Sequence, residues 1–209
     1  MTVRPRSAGG ANVPERWQEQ VEFDVTFARQ ILLDKGQVLP MFILHRAEGP
    51  LVIPALMLHD KQNFYRVLRL LCVIHDAVAL CSIGEAWIRD VGQLPGETDA
   101  DHKRRATELP PSKASDRKEV IWCMLTWRDN ATGERRTIQD MREIERRASG
   151  MPTGLRKVSI HGGRVEGEII NILPARLATD AEKRAAQALL EELKEMGLQV
   201  EPLEVLTRQ

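Results

Sequence analysis

The sequence predicts an α+β fold: a mostly antiparallel sheet with flanking helices, in the order helix, two strands, helix, three strands, plus a C-terminal hairpin and helix. Three observations lead there. Segments with apolar residues at three- and four-residue steps are interspersed with short apolar runs of strand length. The strands come in runs rather than in regular alternation with helices. Neither G-x-G-x-x-G nor G-x-x-x-x-G-K-[ST] occurs, which argues against a dinucleotide fold or a P-loop.

The first helix is expected over 14–35. Pro14 suits a first turn, where its missing N–H costs nothing. Trp17, Val21, Val25, Ala28 and Leu32 form one stripe, and Lys35-Gly36 is a cationic last turn followed by a stop. Residues 39–46 and 51–57 are apolar around Glu48-Gly49-Pro50 and predict a hairpin or two short strands. Pro40 and Pro54 belong at strand ends or on an edge. Asp60 caps a second helix, with Phe64, Val67, Leu68, Leu71, Cys72 and His75 on one face and Arg66 and Arg69 off it. That helix should stop near Asp76. Residues 78–88, VALCSIGEAWI, predict a third strand, with Gly84 marking a bulge or bend.

Residues 91–117 are rich in Pro, Gly and charge. They form an excursion far longer than an ordinary connection, either a functional flap or a mobile loop. Residues 119–127, EVIWCMLTW, are apolar on both faces and read as a central strand. A turn at 129–133 leads to 137–144, where a strand is preferred over a helix. The expected core domain is 13–148. Residues 149–154 have linker composition, and 149–209 form the hairpin-helix extension. Its hairpin centres on Gly162-Gly163. Its helix starts at the capping box Thr179–Glu182, turns Leu189, Leu190, Leu193 and Met196 inward, and packs on the body or on another chain.

Composition narrows the function classes. The chain has 209 residues and a formal net charge of +0, which gives no overall field for nucleic acid or membrane. Cys72, Cys81 and Cys123 each lie in an apolar run without a C-x-x-C pair, as expected of buried free thiols in a reducing compartment. No apolar run is long enough to span a bilayer, and residues 1–12 lack a signal-like apolar stretch. A cytoplasmic location and no membrane partner are the expectations. The five histidines show no zinc spacing, so no metal and no cofactor are expected.

Candidate chemistry gathers where the third and fourth strands meet the excursion. If those strands are antiparallel neighbours, Glu85 and Glu119 share one sheet edge, with Asp116 and Lys118 near. Paired carboxylates there could divide acid and base roles or hold a divalent cation. Asp116-Arg117-Lys118 also matches the D-x-K triplet of restriction-type nucleases. The plainer reading is a solvated strand end in which Glu119 pairs with Arg117 or Arg89 and Trp87 belongs to the core. Basic clusters at Lys103-Arg104-Arg105, Arg135-Arg136 and Arg142/Arg146-Arg147 could cradle phosphates, though acids interleave them.

The stretches E-A-W (85–87) and P-P-S-x-x-x-D-R-x-E-V (110–120) resemble a group of bacterial and phage-type proteins that carry E-x-W followed by P-S-x-x-x-D-R-x-E, over about residues 15–145. No activity is assigned to that group. The resemblance implies only that Glu85, Trp87, Asp116, Arg117 and Glu119 belong to one constellation, which would serve to anchor the long loop. The functional expectation is an accessory or protein-interaction protein, of phage or mobile-element type, whose partner is another protein or a second copy. Two alternatives stay open: a metal-dependent hydrolase or nuclease using Glu85, Asp116, Lys118 and Glu119, and nucleic-acid binding through Lys103, Arg104, Arg105, Arg135 and Arg136.

Overall fold

A computed structural model describes residues 13–55, 60–89, 91–129, 131–158, 171–196 and 203–204. Helix α1 (Glu15–Lys35) opens the chain, followed by β1 (Met41–His45), β2 (Leu51–Pro54), α2 (Lys61–Ile74) and β3 (Ala79–Ile88). Then come α3 (Asp99–Glu108), β4 (Lys118–Arg128), β5 (Arg135–Arg146), β6 (Pro152–Lys157), α4 (Asp180–Glu195) and β7 (Leu203–Glu204). The strands form one sheet in the order β6-β5-β4-β3-β1-β2-β7, and every described pairing is antiparallel. The α+β fold with flanking helices is therefore observed.

The sheet is covered on both faces. On one face α1 lays Trp17, Val21, Val25, Ala28 and Leu32 over Ile43, Cys81, Ile83, Ile121, Cys123, Leu125 and Trp127. On the other, α2 and α4 cover Phe42, Leu44, Leu51, Ile53 and Leu80. Because side chains alternate along a strand, β1 and most of β4 are buried whichever way they point, which is why they read as continuous apolar runs.

The element boundaries follow from local chemistry. The α1 chain stops where Gly36 takes a left-handed φ of 80° and its N–H reaches the Leu32 carbonyl. Asp60 caps α2 by accepting from the Asn63 N–H, and Thr179 and Glu182 form the expected reciprocal box on α4.

Several expectations need correction. Gly84 is not a bulge: β3 and β4 stay in register through the Gly84–Trp122 pair. A Cβ at position 84 would lie 3.4 Å from the Pro40 Cα, so glycine is there to let a neighbouring backbone approach. The excursion 91–117 is not structureless, since it holds α3 and a 3-10 turn at Pro111–Lys113. Residues 149–154 do not act as a spacer. They close a turn that brings β6 alongside β5, and α4 docks on α2 with Leu190 and Leu193 in the same apolar cluster as Phe64 and Leu68. Met196 is 70% exposed instead of inward. The hairpin expected around Gly162-Gly163 lies outside the described residues.

Candidate functional site

Glu85 pairs across β3–β4 with Ile121, and Glu119 pairs with Trp87. The two acids are thus diagonal neighbours on adjoining strands. Their odd positions place both on the face that carries α1, where Ile83 and Ile121 are buried. The antiparallel juxtaposition expected from the sequence is present. Its chemistry is that of a closed clamp. Glu85 Oε1 accepts from the Val38 backbone N–H at 2.6 Å, just after α1 ends. Glu119 takes two hydrogen bonds from Arg146 on β5, Nε to Oε2 at 2.7 Å and Nη2 to Oε1 at 2.9 Å. Arg146 Nη1 goes on to the carbonyls of Gly36 and Gly150. Its bonds to Glu119 hold its pKa above the ordinary value against desolvation, and the charge of Glu85 adds to this. One guanidinium therefore ties the end of α1, the start of β4 and the β5–β6 turn together.

The other members of the expected constellation do not converge with these acids. Asp116 is more than half exposed and pairs with Arg89 at 3.1 Å. Lys118 is one residue from Glu119 in an extended strand, so its side chain leaves from the opposite face. Asp116 itself lies in the turn before β4, so the D-x-K triplet is not carried on a strand. Arg117 donates to the Ser112 carbonyl and stacks over the Trp87 ring at 4.5 Å. Trp87 is 43% exposed, so it is not a core tryptophan. Arg117 thus links the end of the excursion to Trp87 on β3. Glu119 pairs with neither Arg117 nor Arg89. Its partner was visible in the sequence only as part of a basic cluster.

The excursion is organised by its own polar groups. Arg105 makes a two-pronged contact with Glu97 at 2.8 Å, and His102 Nε2 bonds to the Val91 carbonyl. Arg105 first, and the Leu94 N–H second, draw the Glu97 pKa down to about 2. No residue of α3 is buried, and Leu94 and Leu109 are exposed on either side of it. The basic clusters are dispersed. Arg104 pairs with Asp101, Arg136 with Asp129, and Arg142 with Asp140 and Glu22. Arg135 and Arg136 point to opposite faces of β5.

A buried polar line under α1 was not read from the sequence. Asp24 is fully buried and meets His45 Nε2 at 3.0 Å, with Gln20 on its other oxygen. The Cys81 and Cys123 sulfurs lie 3.3 Å apart beside it. Burial, then the neighbouring Cys123 and Asp24, push the Cys81 thiol well above its usual pKa, and burial takes Cys72 to about 12. The signal available was Asp24 itself, a charge set inside the Val21–Val25–Ala28 stripe. Among the described residues no group of three or more His, Cys, Asp and Glu side chains is arranged to hold a metal ion, and no helix is long and apolar enough to cross a membrane.

No family model, curated protein or solved structure matches this chain, so the functional reading rests on its own residues.

Proposed function

We propose that this chain is an accessory, protein-interaction protein whose binding surface is the 91–117 arm. The observation that carries this reading is that α3 buries none of its ten residues while Leu94, Leu109 and Trp87 stand exposed around it. A helix held by polar contacts within the arm, with none of its residues buried, is available to a partner chain, a second copy included. The closure of Glu85 on a backbone N–H and of Glu119 on Arg146 supports the same choice over a hydrolase, because both carboxylates already have partners.

Two experiments test it. A photo-crosslinking residue at Leu109 should trap a discrete partner chain, and the same residue at Phe23 on α1 should not. Equal trapping at both positions removes the arm from consideration. Melting curves with Mg²⁺ or Mn²⁺ are expected to coincide with the metal-free curve. A metal-induced rise that Glu85→Gln and Glu119→Gln abolish would favour the hydrolase.

A further inference from the structure

Four arginines gather around one backbone segment away from the clamp. Arg69 on α2 donates to the Asn171 carbonyl at 3.1 Å, and Arg135 on β5 donates to the same oxygen at 3.3 Å and to Leu173 at 3.1 Å. Arg128 on β4 bonds twice to the Pro174 carbonyl and reaches Ala77. Arg66 lies one turn before Arg69 on α2 and makes no hydrogen bond or ion pair among the described residues. None of the four has a carboxylate within salt-bridge distance there. Arg104, Arg105, Arg136, Arg142 and Arg146 are each paired with an acid, so this group is unlike them.

The register makes the arrangement costly as it stands. Arg128 and Arg135 are direct cross-strand partners, and like charges placed opposite each other destabilise a sheet. Arg128 is 8% exposed, so its charge is only weakly screened by water. Asp76, the acid that acts on it at longer range, already holds Lys183. Beside the group lies an open pocket of about 430 Å³, lined by Gln62, Tyr65, Arg66, Arg69, Asn171 and Ile172. That volume falls within the range of small-ligand sites, so more than a bare ion fits.

We infer that the α2 stripe Gln62–Arg66–Arg69, backed by Arg135 and Arg128, is a binding site for a phosphate-bearing ligand. Guanidinium forks match phosphate oxygens in geometry as well as charge. Arg66 and Arg69 supply the accessible donors. Arg135 and Arg128 keep the local potential positive while their own hydrogen bonds hold the 171–174 backbone as the pocket wall. The site is independent of the arm and of the partner proposed for it.

Calorimetry of the full chain with inorganic pyrophosphate at low ionic strength provides the test, with chloride matched as the control. Saturable binding to one site is expected, with a rise in melting temperature. Arg66→Ala should weaken it about tenfold, the scale of one charged hydrogen bond lost. Its own melting curve should match the parent, because Arg66 holds nothing in the described fold. Arg29→Ala, on an exposed turn of α1, should bind as the parent does. Absence of saturable binding, or binding unaffected by Arg66→Ala, overturns the inference. A single-stranded oligonucleotide that displaces pyrophosphate with steep salt dependence would assign the phosphates to nucleic acid. Failure to displace would assign them to a small phosphorylated ligand.

Discussion

The clamp at Glu119 and Arg146 is a coupled unit, and removing one member leaves the other half-buried and unpaired. Side-chain exposures of 19% and 26% leave some water to compensate. We therefore expect Glu119→Gln and Arg146→Ala each to cost about 1–3 kcal/mol in urea unfolding. The double variant should cost clearly less than the two singles combined. Additive losses would mean that the pair is not coupled. The thiols give a second test. Cys72 and Cys81 are held protonated by burial, so the native chain should resist thiol reagents at pH 8, and all three cysteines should react in guanidinium. The sign of the linkage follows from the raised folded pKa. Stability from Cys72 is complete below the unfolded value of 9.0 and is lost as pH rises toward about 12, where the unfolded thiol ionises first. Unfolding midpoints should fall across that alkaline window and fall less in Cys72→Ala after its own cavity cost is subtracted. At this scale the sequence showed the acids but not their partners. Which arginine reaches Glu119 depends on the β4–β5 register, and the Val38 N–H depends on where α1 ends.

Elements with a strong period were legible and those held by polar contacts were not. The helices α1, α2 and α4 each bury one stripe, and their caps stand in the sequence as Gly36, Asp60 and Thr179–Glu182. Helix α3 has no stripe to detect, because nothing on it is buried. Its only local sign is Thr98, whose side chain accepts from the Asp101 N–H. Such a helix should come and go with its ion pairs. Glu97 is drawn down to about 2 by Arg105, and Glu182 to about 2 by Arg176 and then Thr179. Both contributions are present above the unfolded value of 4.5 and are lost as pH falls through 2. Amide exchange in α3 and in the first turn of α4 should accelerate within that window, before the sheet opens. Replacing 94–110 with a short Gly-Ser link should leave the unfolding free energy within about 0.5 kcal/mol of the parent. A larger loss would mean that the arm supports the body.

At the scale of the whole molecule, β6 and α4 complete the layers begun by the elements from α1 to β5. Composition suggested a boundary near 148 because Gly150 and Pro152 resemble a spacer, but Gly150 takes a φ of 83° to close the turn into β6. What crosses that point is apolar contact. Ile172, Leu173, Leu190 and Leu193 are all at most 6% exposed and lie in the cluster of Phe64, Leu68 and Leu71. Burying them contributes on the order of 6–12 kcal/mol at ~1.5–3 kcal/mol each. A whole domain of this size is stable by only about 5–15 kcal/mol. A chain ending at 148 should therefore lack a cooperative transition, bind a hydrophobic dye through the bared face of α2, and expose the edge of β5 to aggregation. Calorimetry of the 1–148 fragment checks this. A sharp transition with a native-like heat capacity change would show that the first 148 residues fold alone, and that α4 is an appendage to a core already complete without it.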